Sequence, residues 1–519
     1  MAETPTVHRL GRKLAAPLAG IVLLAAAWYL WQHYPTVTPE AAAPPGPAVT
    51  PRQVYFGPRN ALAVLPFADR SASGDQAPQA RGFAAELQAR FEELPALQVT
   101  ARSSSFFFQD ATIPARVAAE RLQSAWLLVG EWRETNGAIA VTATLYDAYR
   151  DRELWRSDYD GDLGGVLRLR DAIVRDALAE LPMTRAQALA LAPSAEPDPR
   201  AWILLQQGRY LADPPGPSDL AAAETAFRAA LEQQPDYAAA RLSLAELWLH
   251  PAWPREADPE AVERARAVAQ SELERPAAAA NTAADRARAW GLLSYVRHHY
   301  DWRWAAAADA AQRAVDLRPG DAGLLALASL ARSTLGDLGE AESLLQASLD
   351  RDPLNLGSRL RLGLVQEFSG RYDDALASYR RVLSLRPDYP AAHAYRARVK
   401  ALQGKAESAL KESAQESDPF WRRYAETLAL LAAERREEAQ SPLQRMSEED
   451  GAVAAFQLAE LFAFGGAPDE AFAWLERARA QRDPGLSALL GNPLLANLHA
   501  DPRWAGLLET LALPLDAGE

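Results

Sequence analysis

The strongest constraint on this chain is an interval. Gly336, Gly370 and Gly404 stand 34 residues apart, and the same step separates Ala341, Ala375 and Ala409, and again Pro319, Pro353 and Pro387. Three residue types repeating in register describe one small unit copied along the chain, too small to bury its own apolar face and therefore stacked on its neighbours. The residue types fit a helix-turn-helix unit. Alanine and glycine let paired helices approach closely, and proline stops the second helix because it has no amide to donate.

In the best-preserved copy, Leu362, Gly363, Gly370, Tyr372, Ala375, Tyr379 and Pro387 resemble the packing pattern of the tetratricopeptide (TPR) repeat. An earlier copy is marked by Ala223, Phe227, Ala230 and Pro235, with an insertion at 213–219, and a degenerate pair interrupted at 251–260 follows. Residues 301–319 close the unit before the three regular ones. About seven helical hairpins are expected over residues 198–485, an all-α TPR solenoid. Residues 486–519 read as its cap and tail, and GNPLLANLHADPRWAGLLETLALP resembles the capping tail of envelope and regulator proteins that carry such arrays.

The resemblance implies a concave groove lined by the first helix of each repeat. The family's groove positions fall on Leu360, Leu364, Glu367 and Phe368 in one repeat and on Ala394, Arg398 and Leu402 in the next. The Lys/Asn clamp with which some such domains hold a carboxyl terminus is absent from these positions. An apolar groove with scattered charge suits an amphipathic helix or an extended peptide. The same residues would also be apolar if a neighbouring segment, or a second copy of the chain, covered them. Tyr300, Trp302 and Trp304 are further candidates for a protein-binding surface, because Tyr and Trp dominate binding hot spots; the alternative is that they pack between helices.

Upstream, Arg9, Arg12 and Lys13 precede an uncharged run from Leu14 to Trp31, about 27 Å as a helix and enough to cross a bilayer. Trp28, Tyr29, Trp31 and Tyr34 crowd its far end, as rings at a headgroup layer do. Residues 14–34 therefore read as a single transmembrane signal anchor with a cytoplasmic basic tail, 1–13. The apolar run is longer than a signal-peptide core and lacks a small-residue cleavage site. This places the bulk of the chain in the periplasm of a bacterium, tethered to the inner membrane. Residues 35–59, rich in proline and alanine, read as a semi-extended linker.

From Ala61 the pattern alternates short apolar runs with helical stretches. Strands are expected at 61–67 and 97–102, helices at 79–94 and 113–122, and a hairpin from 125 to 147 about Asn136-Gly137, with a strand at 153–159 and a closing helix at 163–181. That order predicts a small α/β domain with a mixed sheet and helices on one face. The stretches ALAVLPFADRSASGD, LQVTARSSSFFF, AWLLVGEWRETNGAIAVTATLYDA and ELWRSDYDGDL, within residues 60–183, resemble the amino-terminal domain of the TolB type. That domain stands beside TPR arrays in CadC-like regulators and adenylate-cyclase-like proteins. The resemblance implies a non-catalytic interaction domain, and this chain lacks the regulators' cytoplasmic output domain.

No motif points to chemistry. Against 55 Lys and Arg stand 68 Asp and Glu, a net charge of -13 that disfavours nucleic acid. There is no cysteine and only 7 histidines. The adjacent pair His298-His299 points about 100° apart on a helix, unlike an i, i+4 zinc pair. Ser103-Ser104-Ser105 has no base or oxyanion frame around it, and alternation through the following Phe106-Phe107-Phe108 is expected to bury one or two rings. The expectation is a non-enzyme without cofactor or metal: a scaffold or adaptor binding protein or peptide partners in the cell envelope, self-association included. The alternative is the sensory component of a transmembrane signalling system, CadC-like without the DNA-binding domain.

Overall fold

The computed structural model describes residues 56–108, 113–181, 197–212, 219–249, 259–275 and 282–515. The basic tail, the expected span at 14–34 and the linker up to residue 55 lie outside the described residues. Among the described residues no helix is long and apolar enough to cross a membrane. The described residues fall within one compact unit.

Asn136 (φ 54) and Gly137 (φ 82) both take left-handed backbone, which a two-residue hairpin turn requires. The turn joins β4 (Trp126–Thr135) to β5 (Ala138–Asp147), and β6 (Arg152–Asp162) extends the antiparallel meander. Two short parallel strands, β1 (Ala61–Val64) and β3 (Gln98–Val99), complete the order β3-β1-β4-β5-β6, while β2 (Ala68–Asp69) pairs farther along β4.

Helices α1 (Ala77–Phe91) and α4 (Val166–Glu180) share one core cluster with Leu62, Leu128, Trp132 and Val141 of the sheet. On α1 the expected face, Phe83, Leu87 and Phe91, is wholly buried. Ala63 and Leu127, one residue along their strands and so on the opposite face, are equally buried. The centre of the sheet is therefore covered on both sides, where cover on one was expected. The strand expected at 97–102 is cut to Gln98–Val99, because Arg102–Ser105 turn into a short helix, α2; α3 (Ala115–Leu122) follows. Of the phenylalanine triplet, Phe106 and Phe108 are buried and Phe107 is 67% exposed.

The array holds eight helical pairs among the described residues, against the seven or so expected. They are α5–α6 (Pro199–Ala212, Leu220–Gln233), α7–α8 (Ala238–Trp248, Pro259–Glu274), α9–α10 (Ala283–Val296, Trp304–Leu317), α11–α12 (Ala322–Thr334, Leu338–Arg351), α13–α14 (Leu356–Phe368, Tyr372–Leu385), α15–α16 (Ala392–Leu402, Ala406–Ser413), α17–α18 (Pro419–Ala432, Arg436–Arg445) and α19–α20 (Ala455–Phe464, Pro468–Gln481). In the last two pairs the 34-residue step is broken, but a buried alanine still follows five residues after the positive-φ turn residue, Ala439 after Glu434 and Ala471 after Gly466. Within the regular repeats, Gly336, Gly370 and Gly404 adopt φ of 84, 73 and 71 in the turn between paired helices. Gly363 serves packing instead: a Cβ there would fall 2.4 Å from the Tyr379 ring, and Gly208 stands in the same relation to Phe227.

Candidate protein-interaction groove and its occupant

Beyond α20 the chain does not leave the array. It turns back through short 3-10 helices, Pro484–Ala488 and Pro493–Leu498, to a last helix α21 (Pro502–Thr510). Each begins at an Asx-Pro pair spaced nine residues from the next, and each Asx side chain caps its own turn. Asp483 accepts from the Gly485 amide at 2.8 Å, Asn492 from Leu494 at 3.1 Å and Asp501 from Arg503 at 2.9 Å. From this staircase Leu486, Leu489, Leu490, Leu494, Leu495 and Leu498 all enter the interior, none more than 3% exposed.

They enter the groove. Leu494 joins Tyr424, Leu428, Leu458 and Leu461 of the first helices of neighbouring repeats. Gly491 lies against Leu338 and Phe368. Asn492 reaches farthest, where its amide accepts from Arg398 Nη2 at 2.8 Å and donates to Glu460 at 2.7 Å. Arg398 also donates to Glu367 at 2.5 Å, to Glu460 at 2.7 Å and to the Tyr424 hydroxyl at 3.2 Å. Tyr379 closes the set by donating to Glu367 at 3.2 Å. One guanidinium thus faces two carboxylates away from water. Burial pushes Glu367 above its ordinary range despite Arg398. For Arg398 burial works the other way, and Glu367 with Glu460 outweigh it, holding its proton well above the usual guanidinium range.

The structure therefore brings Glu367, Phe368 and Arg398 together around the chain's own residues 491 and 492. Glu367 is 0% and Arg398 3% exposed. Leu360 packs beside Tyr379 and Val399, and Leu364 is half-buried. At Phe368 and Arg398 a neighbouring segment of the chain is seen against the groove, one of the alternatives open there. The aromatic candidates divide. Tyr300 packs with Leu242, Val262 and Leu292 of the upstream helices. Trp304, 2% exposed, belongs to one core cluster with Leu486, Leu495, Trp504 and Leu508. Trp302 lies between its stacked neighbour Trp304, at 5.7 Å, and the Arg482 guanidinium, at 5.1 Å. Ring contact thus joins the array's third pair to the end of its eighth.

His298 is a core residue. Its Nε2 lies 2.9 Å from the Thr334 hydroxyl, and burial pushes the imidazole down to about 3. Among the described residues no cluster of His, Asp or Glu is arranged to hold a metal.

A second contact fixes the α/β domain. Ser103 donates to Asp352 at 2.6 Å and Ser104 donates to the same carboxylate, while Ser104 Oγ accepts from the Leu354 amide at 2.9 Å. The Ala101 backbone amide donates to the Arg351 carbonyl at 2.7 Å, the Gln98 side-chain Nε2 donates to the Asp350 carbonyl at 2.7 Å, and Arg318 pairs with Glu92. At the array's start, Trp132 and Trp202 stack with centroids 6.4 Å apart, both fully buried. The serine triplet is thus half of a clasp, and its other half, Asp352, lies some 250 residues away with no local signal to announce it.

Comparison with known proteins agrees with the array. A family model described as "TPR repeat" matches residues 369–404, and one described as "Tetratricopeptide repeat" matches 218–251. A curated relative, "Putative adenylate cyclase 3" of Rhizobium meliloti (strain 1021), is 26% identical over 183 residues, 35% of this chain and 31% of its own length. The chain thus spans about a third of that relative. Among solved structures, YrrB, titled a TPR protein with an unusual peptide-binding site, is 20% identical with a TM-score of 0.32, covering 41% of this chain and 99% of its own. A tetratricopeptide repeat protein from Parabacteroides merdae is 15% identical with a TM-score of 0.35, covering 48% and 92%. The matched residues 218–251 and 369–404 each join the second helix of one pair to the first helix of the next, and this chain carries tetratricopeptide repeats.

Proposed function

We propose that this protein is a non-enzymatic scaffold, anchored in the bacterial inner membrane with its bulk in the periplasm, which holds protein partners on its TPR array and its TolB-type α/β domain. TPR proteins generally mediate protein–protein interaction, and the observation that carries the reading is the bracing of this array. With residues 350–354 clasped by the α/β domain and the groove filled from 483 to 498, the chain offers partners a platform of fixed shape instead of an open channel. Leu360, Leu364 and Phe368 then act at the rim of the filled groove, while Glu367 and Arg398 act by holding its occupant. The TolB-type reading is supported by the order of strands and helices within residues 60–183; the membrane reading rests on residues 1–34.

Photo-crosslinkers placed in living cells at half-buried Leu364 and at Leu385, which is 40% exposed on α14, test this. Capture of one and the same protein from both positions is expected. Capture of nothing from either, or turnover by the purified protein that a single substitution abolishes, overturns it. An alkaline phosphatase reporter fused after residue 60 tests the topology separately. A second reading, a sensory component of a CadC-like system, is favoured by the similarity to a protein named as a cyclase. Replacing residues 1–34 with an unrelated anchor separates the two, since a scaffold survives the exchange and a transmembrane signaller does not.

A further inference from the structure

The sheet of the α/β domain has two edges. At one of them β3 is two residues long, and the array lies against it through the bonds that Gln98 and Ala101 make to residues 350 and 351. The other edge is β6, 11 residues with neither proline nor lysine, two of the devices that commonly blunt such a strand. Among the described residues no strand pairs with its outer side.

The hairpin turn decides which groups that side presents. Thr135 and Ala138 close a two-residue turn as a hydrogen-bonded pair, so the even-numbered residues of β5 bond to β4 and the odd-numbered ones to β6. Trp155, Ser157 and Tyr159 stand opposite Leu145, Ala143 and Val141 and take up those bonds. The backbone N–H and C=O groups of Arg156, Asp158, Asp160 and Asp162 therefore point away from the sheet, and all four residues are exposed. A bulge opposite Leu145 and Tyr146 confines the regular stretch to 155–162. Its side chains divide by face. Trp155 and Tyr159 stand on the α4 face, where Tyr159 donates to Asp176 at 2.8 Å; their rings lie 6.2 Å apart and are only half-buried. Arg156 and Asp158 stand on the other face, where Asp158 accepts from the Thr142 hydroxyl at 2.6 Å.

We propose that β6 pairs antiparallel with β6 of a second copy of this chain, about a two-fold axis at Ser157. That register sets Arg156 opposite Asp158 of the second copy, and by symmetry Asp158 opposite its Arg156. Trp155 and Tyr159 meet their counterparts in the same way, on the α4 face. Charge selects the register. An axis at Arg156 or at Asp158 sets each of those residues against itself, an axis at Tyr159 sets Asp158 against Asp160, and one at Trp155 carries the pairing into the bulge. Parallel pairing in register stacks every charge on its like, and like charges directly opposite are unfavourable. A strand lent by a different protein would satisfy the same backbone groups, but nothing requires it to match Arg156 and Asp158, whereas the chain's own strand matches both. The result is one sheet continuous through two copies, with an array joined to each far edge, so that two platforms are offered at once.

The chain has no cysteine, so a single introduced thiol can form a disulfide only with another molecule. In the full-length protein, kept in mild detergent, Ser157→Cys should oxidise to a linked pair of chains. On the axis the two residues form a non-hydrogen-bonded pair with Cα atoms about 4.5 Å apart, within disulfide reach. Asp160→Cys, which falls opposite residue 154, should stay a single chain under the same oxidation. Sedimentation should show reversible exchange between monomer and dimer, because a short edge pair is a small interface. Arg156→Glu sets like charges opposite each other twice and should weaken the dimer about tenfold. Combining Arg156→Asp with Asp158→Arg exchanges the two charges and should restore it. All of these positions but half-buried Ser157 are exposed, and an unchanged melting temperature checks that each variant folds. Protein that stays monomeric at every concentration, a dimer that Arg156→Glu leaves unchanged, or equal linkage at 157 and 160 overturns the proposal. Linkage of Ser157→Cys in living cells to a protein of different mass also overturns it, and gives the edge to a foreign strand.

Discussion

The hydroxyl of Ser103 donates to the carboxylate of Asp352 across 2.6 Å, joining residues 249 positions apart. With Ser104 on the same carboxylate, this pair holds the α/β domain against the turn between α12 and α13. Asp352→Ala removes the acceptor of two hydroxyls, one of them in Ser104, which is fully buried. A loss of about 2–3 kcal/mol is expected, read by urea denaturation. Amides of 98–106 and 350–355 should gain hydrogen-exchange rate together, since they share the clasp.

Arg398→Ala should be more damaging. It leaves Glu367 and Glu460 facing each other in the interior without their common cation, and breaking a buried pair on one side costs about 3–5 kcal/mol. Glu367→Gln keeps the shape and removes one of the two charges, so it should cost clearly less. The order of the two variants in denaturant midpoint is the measurement; Glu367→Gln proving the worse would contradict the network as described.

His298 makes stability fall in mild acid. Its imidazole sits at about 3 in the folded protein, against 6.5 for the exposed group. Between those values the unfolded chain binds a proton that the folded chain refuses, so the stability present above 6.5 is lost as pH drops. By pH 5 this one group should account for about 2 kcal/mol. Denaturation at pH 7 and pH 5 reads the slope, and His298→Gln should remove that share of it.

Two glycines seven residues apart should be costly to replace for different reasons. Gly363→Ala places a methyl group 2.4 Å from the Tyr379 ring, where overpacking costs about 1–3 kcal/mol even though alanine is the better helix former. At Gly370 nothing lies within 4 Å and the only penalty is φ of 73, so Gly370→Ala should cost about 1 kcal/mol. Melting temperatures of the two variants check the order. In the same repeat Ala375, fully buried, leaves no room for Ala375→Trp, which should abolish the cooperative transition of the array.

The two halves of the chain were unequally legible. Short-range physics was written plainly: the Asn136-Gly137 turn, the buried face of α1 and the 34-residue step each reappear in the fold where the residues placed them. Long-range pairing was not. Glu367 and Arg398 sit at groove positions and look from sequence like scattered charge for a partner; that they are buried follows from Asn492, and nothing within reach of Arg398 along the chain announces it. An overlooked signal was local, the Asx-Pro starts at 483, 492 and 501, which mark how the stretch read as cap and tail folds back as a staircase. The serine triplet, read as structural, gave no sign of its partner: Ser103 and Ser104 stand in a short helix and meet Asp352 far along the chain.

Solenoids of this kind depend on nearest-neighbour contacts, and each repeat, once made, can settle on the one before. Here the staircase from Asp483 onward supplies the lining for Trp304, Tyr424 and Leu458. Synthesis runs from the amino end, so those side chains are made first and their cover last. The interior stays hollow until the final stretch of chain is delivered. A message truncated by a late stop codon therefore yields more than a shortened version of this protein: it yields a wall without its keystone, with apolar surface exposed to whatever quality control the compartment provides.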